Sequence, residues 1–241
     1  MIETRTAQGR GTTDLGWLDS RHTFAFGRGM PSRDEPNTMG FRNLRVINDD
    51  RVAGGGGFGT HPHDNMEIIS FVIEGSLEHK DSMGTTQTIE AGDFQLTSAG
   101  SGVTHSEYNP SGEAPMRFVQ IWLIPNEHDT TPNYGHLTHD AEASRNRLRL
   151  VASPDGDGGS MPMHADARLF VAQLDAGAEV DRAIPGGHAA WVQVTRGTVR
   201  LTVGGETVVL GEGDGAAVTE EEALRIAATT GAEILVFDLF G

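Results

Sequence analysis

Two stretches of this sequence repeat one another half a chain apart. Ile73-Glu74-Gly75-Ser76-Leu77, followed by Ile89-Glu90-Ala91-Gly92-Asp93, has its counterpart in Thr195-Arg196-Gly197-Thr198-Val199 and Leu210-Gly211-Glu212-Gly213-Asp214. The offset is 122 residues at the first glycine and 121 at the second, in a chain of 241. Half a chain is the size of a small domain, so two similar domains in tandem are expected. Their class follows from the runs between the glycines. Ile68–Ile73, Phe118–Ile124, Ala190–Val194, Thr198–Val203 and Ile234–Leu239 are β-branched or aromatic and are bounded by Gly, Pro, Asn or Asp. Helical periodicity is confined to Asp140–Arg149 and Thr219–Arg225. The chain is therefore all-β, a sandwich, barrel or jelly roll, with its domain boundary expected in the polar stretch Asn126–Gly159.

Composition narrows the chemistry. Cysteine is absent, which excludes disulfides, thiolate zinc sites, iron–sulfur clusters and cysteine nucleophiles, and leaves imidazole and carboxylate as metal ligands. A net charge of −16 repels a phosphate backbone and argues against direct nucleic-acid binding. The opening Met-Ile-Glu-Thr-Arg has no apolar segment behind it, and no run reaches the roughly 18 apolar residues of a membrane span. A soluble, cytoplasmic protein without a membrane partner is expected.

His61-Pro62-His63 follows the glycine run Gly54–Gly57. Residues two apart on a strand share a face, so both imidazoles can be presented to one point, with Asn65 and Glu67 next on that face. Downstream, His105 and Glu107 are again two apart. Two such pairs supply three imidazoles and a carboxylate, which leaves up to two positions of an octahedron open and suits Fe(II), Mn(II), Co(II), Ni(II) or Cu(II). The other histidines have blander expectations. His22, beside Phe24 and Phe26, is read as a packing residue, His79, between Glu78 and Lys80, as solvated, and His128, His136, His139 and His164 as loop residues.

The order Gly55, His61-Pro62-His63, Glu67, Gly75, Gly92-Asp93 and Gly102-Val103-Thr104-His105 resembles the two cupin motifs, whose histidines bind a metal inside a small β-barrel. Longer segments resemble the pirin family, above all its bacterial quercetin 2,3-dioxygenases. They are Asp14-Leu15-Gly16-Trp17-Leu18-Asp19-Ser20, Leu44-Arg45-Val46-Ile47-Asn48-Asp49-Asp50, Glu74-Gly75-Ser76-Leu77-Glu78-His79-Lys80-Asp81-Ser82-Met83-Gly84 and His105-Ser106-Glu107-Tyr108-Asn109. In the C-terminal half the resemblance is thin, mainly Val151–Asp155 and Phe237–Leu239.

This resemblance implies two tandem cupin (jelly-roll) β-barrels, a bicupin, with a metal-binding barrel over residues 1–135 and a degenerate, metal-free one over residues 136–241. It implies one divalent metal, Fe(II) first and Mn, Co, Ni, Cu or Zn as alternatives, on His61, His63, His105 and a carboxylate. Cupins in general place that carboxylate at Glu67 and pirins at Glu107; the His105-Ser106-Glu107 signature favours Glu107 and leaves Glu67 to orient a ligand or a water. The repeat offset sets Ala183, Pro185, Ala189, Ile226 and Ala228 at the corresponding places of the second copy, none able to bind a metal, so His188 has no ligand partners there. The implied activity is cleavage of flavonols such as quercetin with O2 and release of CO, the metal acting as Lewis acid and template and Glu107 as catalytic base. The alternative is a non-enzymatic, iron-dependent redox-sensing regulator that docks to a partner protein; other cupin reactions on small acids or sugars form a third class. The loops Arg28–Pro36 and Asn126–His139 are expected to set pocket width, and two barrels burying each other's apolar faces favour a monomer.

Overall fold

A computed structural model of the chain describes residues 1–24, 39–138 and 140–241. The loop Arg28–Pro36 and His139 therefore lie outside the described residues. The first half runs β1 (Ile2–Arg5), β2 (Gly11–Asp14), β3 (Leu18–His22), β4 (Leu44–Val52), β5 (Gly57–His63) and β6 (Glu67–Glu74). It continues with β7 (Ser76–Asp81), β8 (Thr86–Glu90), β9 (Phe94–Ser98), β10 (Val103–Tyr108), β11 (Met116–Leu123) and β12 (Asn133–Leu137). A single helical turn, α1 (Ala141–Ser144), precedes β13 (Arg149–Ser153), β14 (Met161–Pro162), β15 (Ala167–Leu174), β16 (Glu179–Ala183) and β17 (Ala189–Arg196). The last strands are β18 (Thr198–Val203), β19 (Glu206–Gly211), β20 (Gly215–Val218), β21 (Ala223–Ala228) and β22 (Ala232–Leu239). No helix among the described residues is long and apolar enough to cross a membrane.

All five expected strand runs are strands, β11 ending one residue short of Ile124. The helical candidates are corrected. Asp140–Arg149 yields only α1, capped by the Asp140 side chain accepting from Ala143 N. Thr219–Arg225 leads into β21, where Leu224 and Ile226 are buried and Ala223 and Arg225 exposed, a period of two that belongs to a strand.

The chain divides into two compact units. One comprises Gly11–His139 and Met161–Ala165, the other Met1–Arg10, Asp140–Ser160 and Asp166–Gly241. In the first, strands neighbour one another in the orders β12-β9-β6-β11-β4-β3-β2 and β5-β10-β7-β8; in the second, β1-β20-β17-β22-β15-β13 and β16-β21-β18-β19. The orders correspond over the first six strands of the larger sheet and all four of the smaller, so the repeat in the sequence is a repeat of topology, and each copy is a two-sheet sandwich of the kind the cupin resemblance implies. The repeated glycine explains itself: Gly75 and Gly197 have φ of 75° and 76° at the crossing from one sheet to the other, and a Cβ on Gly197 would lie 2.1 Å from Gly231 O.

The expected division at residues 135 and 136 needs correction in two places. In the second copy β1 takes the edge position beside β20 that β12 takes beside β9, with Ile2 opposite Val218 and Arg5 opposite Gly215. Residues 1–10 thus belong with the C-terminal copy, and residues 161–165 with the N-terminal one.

One row of side chains separates the copies chemically. In the C-terminal unit Phe170, Val236, Val192 and Ala216 stand abreast on β15, β22, β17 and β20, all inside the apolar core. The corresponding row of the N-terminal unit is Asn48, Gln120, Ser70 and Gln95 on β4, β11, β6 and β9. Polar groups at core positions cost stability unless each finds a partner, so this row marks where the N-terminal sandwich holds something other than a core.

Candidate metal centre

The three histidines come together as their spacing requires. On the paired strands β5 and β10, His105 lies opposite His61 and Val103 opposite His63. The ring centroids of His61, His63 and His105 are 4.6–4.9 Å apart. One nitrogen from each lies within 4.8 Å of the others. His61 Nδ1 donates to Gly59 O at 2.7 Å, which leaves the lone pair on Nε2, 3.1 Å from His105 Nε2. Burial and the neighbouring imidazoles push His63 down to about 4 and His105 to about 3, so both are neutral at physiological pH. Imidazoles converging with lone pairs to share form a donor set that suits a divalent transition metal.

Glu107 stands one step from this triad. The β5–β10 register shifts after His105, where β5 carries an extra residue, so Glu107 faces Phe58. Its carboxylate forms a second group with His105 and His79. It is fully buried and accepts from Ser70 Oγ at 3.0 Å, Gln95 Nε2 at 2.6 Å and Gln120 Nε2 at 2.8 Å. Behind the amides, Tyr134 OH donates to Gln95 Oε1 at 3.2 Å and Trp122 Nε1 to Gln120 Oε1 at 3.1 Å. Burial raises the Glu107 pKa, opposed by His79, the Ser70 hydrogen bond, His61 and His63.

His79 is a correction. It is not solvated but fully buried, its Nε2 3.1 Å from Asp81 Oδ2, its ring stacked on Tyr134 at 4.7 Å and edge-on to His105 at 5.3 Å. The sequence carries the signal, since Leu77 sets the inward parity of β7 and His79 shares it while Glu78 and Lys80 point the other way. His136, expected in a loop, lies on β12, with Nε2 3.0 Å from Asp93 Oδ2. His22 packs as expected, bonded to Asn48 and Thr13. His188 pairs with Asp238 at 2.7 Å and belongs to neither histidine group.

Glu67 is corrected as well. The strand that carries His61 and His63 ends there, Asn65 turns the chain at φ 46°, and Glu67 opens β6 in the other sheet. It accepts from Ser98 Oγ at 2.7 Å and bonds the His164 backbone, and it belongs to neither histidine group. Burial raises it to about 7. A carboxyl raised on folding stabilises the fold below its ordinary pKa, and that contribution is lost as pH rises through about 7. Glu67→Gln keeps an acceptor for Ser98 and is expected to make the change in Tm from pH 5 to pH 8 more favourable than in wild type, the other shifted groups contributing equally to both proteins. Tm measured across that range checks it; an unchanged slope places the titration elsewhere.

A cavity of about 270 Å³ opens against His61 and His63, walled by Phe58, Trp122, Leu18 and Gln120, with Ser20 and Asp50 beyond.

Residues 3–123 match the family described as Pirin, and residues 150–239 the one described as Quercetinase C-terminal cupin domain. The quercetin 2,3-dioxygenase of Escherichia coli strain K12 is 44% identical over 239 residues, 99% of each chain. A pirin-like protein of Caulobacter vibrioides is 35% identical over 239 residues, again 99% of each. Among solved structures, the bacterial pirin YhhW from Escherichia coli in complex with nickel(II) matches with a TM-score of 0.90 at 42% identity, covering 99% of both chains. Matched in both halves and similar to such relatives from end to end, the chain belongs to the pirin family.

Proposed function

We propose that the N-terminal unit is a metal-dependent dioxygenase site that cleaves flavonols such as quercetin with O2 and releases CO. The observation that carries this reading is the convergence of His61, His63 and His105, the first two on the wall of an aromatic-lined cavity, with the buried Glu107 carboxylate beside them. His61, His63 and His105, with Glu107 as fourth ligand, would hold one divalent metal, iron as the family resemblance implies or nickel as in the relative. Bound there, the metal supplies Lewis acidity toward a flavonol hydroxyl and O2.

The chain's own residues supply the rest. Glu107 Oε1 accepts from Ser70 and Gln95 and Oε2 from Gln120, so the one lone pair left on Oε2 would bind the metal or, with the carboxylate off the metal, take the hydroxyl proton. Burial raises its proton affinity, which suits it to act as base toward a weakly acidic phenol. Gln95 and Gln120, locked from behind by Tyr134 and Trp122, hold the carboxylate in place. Phe58 and Trp122 flank a planar ring system and keep water from it.

The test is elemental analysis of the purified protein, then oxygen uptake and CO release with quercetin after loading with iron, manganese, cobalt, nickel or copper. One metal per chain with stoichiometric CO is expected. Absence of oxygen uptake with every metal, across several flavonols, sinks the dioxygenase and favours the metal-dependent regulator.

A further inference from the structure

The cavity that touches His61 and His63 is also lined by a second polar pair. Ser20 on β3 stands directly opposite Asp50 on β4, and both line the cavity. Each is only 2% exposed, and beyond the Ser20 hydroxyl facing the Asp50 carboxyl, neither Asp50 Oδ1 nor Ser20 Oγ has a hydrogen-bond partner among the described residues. Their neighbours on the same wall are satisfied: His22 bonds Asn48 Oδ1 at 2.8 Å and Thr13 Oγ1 at 2.9 Å. A buried carboxyl with a single hydroxyl beside it destabilises the chain that carries it, and a ligand hydroxyl there would relieve that cost. The fold does not require an acid there, because the corresponding residue of the C-terminal copy, 122 positions on, is the core residue Ala172.

We propose that Asp50 and Ser20 form a hydroxyl-reading subsite, which binds a pendant-ring hydroxyl of an aromatic substrate whose reacting end lies at His61 and His63, and so selects substrates hydroxylated on that ring over analogues without that group. Asp50 Oδ1 accepts from the phenol while Ser20 Oγ donates to its oxygen, so the two open valences of the pocket match the two of a hydroxyl. Burial, with Asp49, Glu107 and Asp19 adding to it and the Ser20 hydroxyl opposing, pushes the Asp50 carboxyl up to about 7, so that near neutrality the group can also donate. That the ligand is aromatic rests on the proposed function; the unfilled polar pair does not.

Binding keeps the two apart. Quercetin and galangin, which lacks the hydroxyls of quercetin's pendant ring, are titrated by fluorescence quenching, with Trp122 in the cavity wall. Metal-loaded wild type, Asp50→Ala and Ser20→Ala are compared. Wild type is expected to bind quercetin at least about 10-fold more tightly than galangin, and Asp50→Ala to bring that ratio to about twofold or less. Ser20→Ala lowers it part of the way and serves should Asp50→Ala misfold. Because a buried, incompletely paired acid has been removed, Tm of metal-free Asp50→Ala should rise by about 2 °C or more, a sign opposite to that of a structural residue. Equal binding of the two flavonols by wild type, binding of neither, or an unchanged ratio in Asp50→Ala overturns the subsite. So does a fall in Tm with both affinities reduced together. A preserved ratio without oxygen uptake leaves the subsite standing and overturns the dioxygenase.

Discussion

His61→Ala is expected to leave the chain folded, without bound transition metal, and with turnover of quercetin reduced on the order of 10³-fold or more. The loss is large because His61 is the best oriented of the three imidazoles, its Nδ1 tied to Gly59 O and its Nε2 facing His105. The fold survives because β5 is held to β10 by its backbone register, and His61 is only half-buried. Elemental analysis, oxygen uptake and thermal melting of the metal-free protein are read together. Full metal content in the variant would remove His61 from the ligand set. A melting midpoint far below that of metal-free wild type would show that the side chain holds the sandwich together.

Glu107→Gln is expected to cost roughly 10²-fold in turnover per bound metal, because the amide keeps the shape and an oxygen donor but loses the basicity. The surrounding network can absorb it. Trp122 Nε1 only donates, so Gln120 must keep its Oε1 on the indole and its amide N–H toward residue 107, which the new amide oxygen can accept. The new NH2 then faces Gln95, whose amide can turn over because Tyr134 OH accepts as readily as it donates. Glu67→Gln, bonded to Ser98 and away from the histidines, should change turnover by less than about 10-fold. Steady-state oxygen uptake corrected for metal separates them, and a larger loss in Glu67→Gln would reverse the roles.

The histidine triad is legible in the sequence because period-two spacing on strands leaves little freedom: His61-x-His63 and His105-x-Glu107 share faces wherever those strands lie. Extending that face to Glu67 fails at the turn around Asn65, since parity carries no information past the end of a strand. His79 and Asp50 are hidden by their neighbours. In Glu78-His79-Lys80 and Asp49-Asp50-Arg51 the flanking charges point to the other face of the strand, and a window averaged over both faces reads the whole segment as solvated. The polar row Asn48, Gln120, Ser70, Gln95 becomes visible only when four strands far apart in sequence are laid side by side. The domain edges fail for a similar reason, because nothing local in Ile2–Arg5 names a partner more than two hundred residues away.

That last pairing has a consequence in time. A ribosome adds about 5–20 residues per second, so the 216 positions from Ile2 to its partner Val218 keep β1 waiting roughly 10–40 s before β20 exists. An unpaired strand waiting that long is an invitation to other nascent chains. Glu3 and Arg5, on a strand with a single apolar residue, Ile2, keep it hydrated and unattractive until its own partner has been synthesised.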